Sequence, residues 1–366
     1  PCQMRFAQIS RGFRGSGTGR TVAGDPLARL VRHGIEYEPN EHFTRPALRR
    51  TDRTVAMTGS DADARSTILR LATRGSKLAR LQTDRAASIL EAAHPTVRCE
   101  IVVVSTEGDR DKQTPLGVLG GQGVFAKELQ QAILRGEADC AVHSVKDLTS
   151  VMPDGLTLAA VFDRADPRDV LISRHPGGLA GLPAGARVGT SSRRRVAELR
   201  LARPDLVPIE LRGNVDTRIA KVLNDPDAGY DAAILAAAGV LRMERFDAVA
   251  EYLDVDRFIP APGQGALGVD CRSDDRATRA LLEAVADPTT TVEVEAERAF
   301  LRTCGGGCRS PLAAHAQVDG DIVRMWAMYA DESLDRIATA EDEDDVEDAN
   351  ALATRLATML RERVEQ

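Results

Sequence analysis

The chain has 366 residues, 43% of them hydrophobic and 28% charged, with a formal net charge of −7. That length exceeds one simple core and has room for two or three domains. The acidic balance excludes a general nucleic-acid binder, and the longest apolar run, 232–241, is far too short to span a membrane. The six cysteines, at 2, 99, 140, 271, 304 and 308, are irregularly spaced. They do not read as a disulfide framework, so a reduced, cytoplasmic setting is expected. Arginine greatly outnumbers lysine; only Lys77, Lys112, Lys127, Lys146 and Lys221 occur.

Residues 1–56 carry ten arginines and five acids without sustained periodicity. Residues 1–66 are expected to be a disordered extension or the product of an upstream start. From residue 67 the pattern becomes regular. "TILRLAT" (67–73) predicts a strand and 76–94 an amphipathic helix with Ser76 as N-cap. "EIVVVS" (100–105) predicts a second strand, 124–136 a helix ending at a glycine, and 138–144 a strand. This alternation predicts a mostly parallel sheet with crossover helices. A second set of the same kind begins near 168: strands at "DVLIS", "RVGTS", "VPIELRG" and "YDAAILAAA", and helices at "RRRVAELRLARP" and "VDTRIAKVLND". "FIPAPGQGALGVDC" (258–271) leads back from it. After about 288 a helix, three alternating segments and a closing helix predict a small α+β domain with an antiparallel sheet. The ten acids between 331 and 348 predict a solvated turn and helix start.

Five places could carry chemistry. In "ATRGSKLARLQ" (72–82) Arg74 sits in a turn between strand and helix, where α/β folds bind ligands and a helix N-terminus attracts anions. "GTSSRRR" (189–195) has the same geometry with three hydroxyls and with Arg194 and Arg195 as planar donors. "LRGNVDTR" (211–218) repeats it with Arg212 and Arg218. Three such turns predict a polyanionic ligand between two lobes, and the lack of a phosphate-loop pattern gives phosphate no advantage over carboxylate. "VHSVKDLTS" (142–150) places Ser144, Lys146 and Asp147 just past a strand, where Asp147 could stabilise a developing cation and move a proton. His143 reads as structural. In "CGGGCRSP" (304–311), two cysteines and a weak third ligand in His315 fall short of a zinc site. A flexible loop with a reactive thiol and a pair of small buried cysteines both remain open there.

Together these stretches resemble the porphobilinogen deaminase family, also called hydroxymethylbilane synthases. "LATRGSKLA", "GGQGVFAKEL", "AVHSVKD", "DPRDVLIS", "VGTSSRRR", "LRGNVDTR", "PAPGQGALG" and "ERAFLRTCGGGCRSPLA" carry the resemblance, in order, over about 67–366. The resemblance implies a transferase that condenses four porphobilinogen units head to tail, releasing ammonia, to give hydroxymethylbilane in tetrapyrrole synthesis. It implies two doubly wound α/β domains like type II periplasmic binding proteins and a small third domain. The boundaries expected are 67–163 with 264–285, then 168–260, then 288–366. It further implies a dipyrromethane cofactor held as a thioether by Cys308, and Asp147 as the catalytic aspartate. Ser144, Lys146, Thr190, Ser191, Ser192, Arg194 and Arg195 match cofactor-holding positions. Arg74, Ser76, Gln82, Arg212, Arg218, Arg242 and Gln264 match positions for substrate and the growing chain. Each pyrrole ring brings two carboxylates, which gives an arginine-rich interior its purpose in an acidic protein. The partners expected are porphobilinogen and its oligopyrrole intermediates, with no nucleic acid, membrane or metal, and the chain is expected to be a monomer. Thr149, Gln122, Cys304 and Ser310 depart from the family pattern, which bears on local loop geometry. The rival reading is a non-catalytic two-lobed binding protein for a small polycarboxylate.

Overall fold

The computed structural model describes residues 67–105, 124–305 and 311–366. The expectations for residues 1–66, Gln122, Cys308 and Ser310 lie outside them.

In chain order, β1 (Thr67–Arg74) leads through Ser76 into α1 (Lys77–Ala93), followed by β2 (Val97–Val104), α2 (Val124–Leu134), β3 (Cys140–Ser144) and β4 (Leu156–Phe162). The next group is β5 (Asp169–Ser173), β6 (Arg187–Gly189), α3 (Arg193–Ala202), β7 (Val207–Ile209), α4 (Val215–Leu223), β8 (Ala232–Ala236), α5 (Ala237–Arg242) and β9 (Glu251–Leu253). Then come β10 (Leu267–Arg272), α6 (Arg276–Glu283), α7 (Pro288–Thr303), β11 (Leu312–Asp319), β12 (Ile322–Ala330), β13 (Ile337–Asp345) and α8 (Ala349–Glu365).

Two five-stranded sheets share one topology, β2-β1-β3-β10-β4 and β7-β6-β8-β5-β9. In each, three neighbouring strands are parallel and one strand is reversed: β10 lies antiparallel to β3 and β4, and β5 antiparallel to β8 and β9. The reversed strands are the ones that enter each sheet after the chain has crossed from the other. Segments 163–168 and 254–266 are therefore the two crossovers between lobes.

Most predicted elements form where the periodicity places them. Ser76 caps α1, its hydroxyl accepting from Ala79 N at 3.3 Å. β2 starts earlier than expected, at Val97, because all eight residues of β1 find partners on it. The strand expected over "VPIELRG" is only Val207–Ile209. It is an edge strand, where Pro208 can be accommodated without a ladder donor. The acidic run is a correction. Glu341, Asp342, Glu343, Asp344 and Asp345 are not turn and helix start but the second half of β13, paired along its length with β12. β13 is the edge of the three-stranded antiparallel sheet β11-β12-β13. Its charges face solvent and meet Arg324 and Arg355, a usual way to protect an edge.

The third sheet packs against α7 and α8 through a core that includes Phe300, Met325, Leu352, Leu356 and Leu360. Glu297, fully buried on α7, ties this domain to both crossovers. Its carboxylate accepts from Arg164 Nη2 at 2.6 Å on the outgoing crossover, from Gly263 N at 2.6 Å on the return, and from Ala316 N at 2.9 Å on β11. Burial alone would raise the Glu297 carboxyl; the Arg164 charge and the hydrogen bonds it receives hold it below its usual range instead. Removing this carboxylate takes one of two acids from the buried Arg164 guanidinium, which keeps Glu293 at 3.0 Å, and leaves two amides unmatched. Glu297→Ala should therefore lower unfolding stability by about 3–5 kcal/mol, read from urea midpoints. A loss under about 1 kcal/mol, the range of an exposed pair, would contradict the assignment.

Candidate active site

A cleft of about 660 Å³ lies between the two α/β lobes. Its walls are the turns that follow β1, β3, β6 and β7, at the C-terminal ends of parallel strands. Arg74 and Ser76 enter from the first turn, with Lys77 beside them.

The turn after β3 is shaped by its apolar residues. Val145 and Leu148 are buried, at 2% and 1% exposure, and between them Lys146 and Asp147 reach the cleft. Lys146 Nζ donates to Gln264 Oε1 at 3.2 Å. Burial and the nearby Arg195 charge push the Lys146 ammonium down to about 8. Ser144 and Gln82 are joined, Gln82 Nε2 donating to Ser144 Oγ at 2.9 Å. They line a small side pocket of about 70 Å³ shared with Arg74, Ser76 and Asp147. His143 also borders this pocket, while its ring bonds Asp270 Oδ1 at 2.9 Å in the core of the first sheet.

The turn after β6 holds its hydroxyls differently. Ser191 and Ser192 line the cleft. Ser191 Oγ also donates to Leu211 O at 2.8 Å, and Ser192 caps α3 by accepting from Arg195 N. Thr190 is buried behind them, with Oγ1 accepting from Ser192 N, and is not on the wall. Gly189 is needed here, since a Cβ would run into Leu211 and Tyr230. Arg194 and Arg195 line the cleft although both are nearly buried. Arg218 adds a fourth guanidinium, after Arg74, Arg194 and Arg195, with Nε donating to Gly213 O at 2.7 Å. Burial and the Arg195 charge push it down to about 10.

Arg212 and Arg242 are not brought to the cleft wall. Arg212 lies 3.8 Å from Glu210. Arg242, at the end of α5, donates to Asp163 O at 2.8 Å and Gly265 O at 2.9 Å, clasping both crossovers. Gln264 is on the wall and is almost fully buried. Sequence reasoning missed Lys77, Asn214 and Asp216, which also line the cleft. Lys77 stands inside the quoted "RGSKLA", and its rarity as a lysine was the available signal. Cys304 ends α7 inside the third core, where burial pushes its thiol up to about 12. A thiol so held is a poor nucleophile. Among the described residues no group of acids, histidines and cysteines could hold a metal ion.

The cleft wall carries six cations, Arg74, Lys77, Lys146, Arg194, Arg195 and Arg218, against two acids, Asp147 and Asp216. It is built for a ligand bearing several carboxylates. In a Cys308→Ala chain, which the resemblance expects to stay free of covalent cofactor, a small polycarboxylate such as citrate should bind in this cleft. Its affinity should fall roughly tenfold as pH rises through about 8 and Lys146 loses its proton. Lys146→Met should flatten that dependence; a wild-type-like pH response in the variant would remove Lys146 from the site.

Comparison with known proteins agrees with this geometry. Residues 69–280 match the family model "Porphobilinogen deaminase, dipyromethane cofactor binding domain", and residues 291–362 match "Porphobilinogen deaminase, C-terminal domain". The chain is similar to a protein of Geobacter sulfurreducens named porphobilinogen deaminase, 45% identical over 292 residues, which cover 80% of this chain and 91% of that one. It is equally similar, at 45% over 291 residues, to one of the same name from Xanthomonas axonopodis pv. citri, covering 80% and 95%. Among solved structures, the periplasmic VFT2 domain of Bordetella pertussis BvgS matches 60% of this chain and 86% of its own, at 14% identity and a TM-score of 0.38. That likeness is too remote to bear on function. With both family models matched in order and relatives at this identity over most of its length, the chain belongs to the porphobilinogen deaminase family.

Proposed function

We propose that the cleft condenses four porphobilinogen molecules head to tail, with loss of ammonia at each addition, to give hydroxymethylbilane, on a dipyrromethane cofactor held by Cys308. The observation that carries this reading is the cation-lined cleft with the Asp147 carboxylate set into its wall. An anion placed among Arg74, Lys146, Arg195 and Arg218 is poorly explained by carboxylate binding, which it opposes. It is well explained by a reaction that develops positive charge beside it.

The residues present fit the cofactor. Its two rings bring four carboxylates, and the cleft supplies Lys146, Arg194, Arg195 and Arg218 with the hydroxyls of Ser191 and Ser192. When bound, it supplies the primer to which each new unit is joined. Lys146 and the arginines hold ring carboxylates by charge-assisted hydrogen bonds. Arg74 and Ser76, at the N-terminus of α1, hold those of an arriving unit. Asp147 stabilises the cation that forms as ammonia leaves and accepts the proton released on coupling. Of the two cysteines bracketing the glycine loop, Cys304 is sealed in a core with its thiol held protonated, which supports Cys308 as the anchor.

The reading extends to a monomer acting in the cytoplasm. Free thiols at Cys99, Cys140, Cys271 and Cys304 suit a reducing compartment, and no helix among the described residues is long and apolar enough to cross a membrane. It also extends to folding units at 67–163 with 264–285, at 168–260 and at 288–366, supported by the three sheets with separate cores.

Intact-mass measurement tests the anchor. An adduct equal to two pyrrole units is expected, absent in Cys308→Ala and retained in Cys304→Ala; an unmodified, fully active protein would sink the proposal. Asp147→Asn should keep the fold and lower turnover by roughly 10²-fold or more. Turnover within a few fold of wild type would remove Asp147 from the chemistry.

A further inference from the structure

The cations of the cleft do not stand independently. Arg194 Nη2 meets Asp169 Oδ2 at 2.8 Å, and Arg195 reaches both oxygens, Nη2 to Oδ1 at 2.7 Å and Nε to Oδ2 at 3.1 Å. Gln264 Nε2 donates to Asp169 Oδ1 at 2.8 Å, while its Oε1 accepts from Lys146 Nζ at 3.2 Å. Asp169 is completely buried and does not itself line the cleft. It is the first residue of β5, directly after the outgoing crossover, and Gln264 lies on the return crossover. One carboxylate thus fixes two guanidiniums of the second lobe. Through one amide it also reaches the residue next to Asp147 in the first.

We propose that Asp169 is the positioning residue of this active site, orienting the Arg194–Arg195 pair directly and Lys146 through Gln264. This rests on the reading that the cleft takes pyrrole carboxylates. Two guanidiniums turned inward onto a shared carboxylate each keep their remaining N–H groups in a fixed direction. A ligand carboxylate then meets donors that need no rearrangement. Arg194 is further held by Glu198 Oε2 at 2.8 Å and Ile259 O at 2.7 Å, and Arg195 by Ile234 O at 3.0 Å, so Asp169 is the shared point and not the sole support. Burial by itself would raise the Asp169 carboxyl, but the Arg194 and Arg195 charges outweigh it and keep Asp169 ionised far below the usual carboxylate range. The charge of Asp169 also reaches Lys146. Burial and the charges of Arg195 and Arg194 lower that ammonium, while Asp147 and Asp169 raise it.

The test is Asp169→Asn, which keeps shape and removes charge. The cofactor adduct by intact mass should fall well below full occupancy. In the loaded fraction, KM for porphobilinogen should rise roughly tenfold with kcat changed less than KM, as expected when ground-state binding is lost. The alkaline limb of the pH profile should move down by about one unit, because Lys146 loses a stabilising anion. A merely structural aspartate would move stability and leave that limb in place. Wild-type occupancy, KM and pH limb in a folded Asp169→Asn would overturn the assignment. If Asp169→Asn does not fold, Gln264→Met cuts the path from Asp169 to Lys146, along with the amide's own bonds to Pro167 O and Arg168 O, and should shift the same limb; an unchanged limb there would overturn it equally. Absence of adduct in the unmutated protein would instead defeat the functional reading itself, so the two failures are distinguishable.

Discussion

Positive charge buried inside an acidic protein is costly unless fixed carboxylates receive it, and two buried acids, Asp169 and Glu297, do so here at the joints of the fold. Asp169 receives Arg194 and Arg195, and Glu297 receives Arg164. Each does so at a crossover. Asp169 begins the strand that enters the second sheet, and Glu297 clamps both crossovers to the third domain. Asp169 therefore orders the cleft's cations at the joint between two sheets, and Glu297 fastens the crossovers to the third. Desolvating such ions is costly unless geometry and hydrogen bonding are nearly complete. The multiple short bonds at both carboxylates show that they are.

The fold was largely legible because its signals are local. Strand, turn and capped helix recur at 74–76 and 189–193, and each turn sits at the C-terminal end of a parallel strand, where the chain order alone places a ligand. The reversed strands β5 and β10 were less legible, since direction within a sheet is set by crossovers and not by alternation. The acidic edge strand misled for a related reason. Charges at 341–345 look like solvent-exposed turn, but β13 has only one face to bury and an edge to protect.

The site was legible in its cations and less so in their supports. Arg194, Arg195, Arg218 and Lys146 stand in motifs rich in charge, and the structure gathers them on one cleft. Arg242 carries the same chemical signal yet clasps Asp163 and Gly265, because its helix ends at the crossovers and not at the wall. Thr190 turns inward for the same kind of reason, serving the turn's own amide. Asp169 was written in "DPRDVLIS" without any mark of its role. A carboxylate that acts through others shows itself only when distant segments are brought together.

The decisive distinction is between a cleft that holds polycarboxylates and one that transforms them. Asp147 argues for the second, since an anion among cations weakens simple binding. The most direct measurement follows porphobilinogen consumed, ammonia released and tetrapyrrole formed in one reaction with the purified protein. The account predicts four ammonia molecules for each hydroxymethylbilane. Porphobilinogen bound at saturation without ammonia release would contradict it.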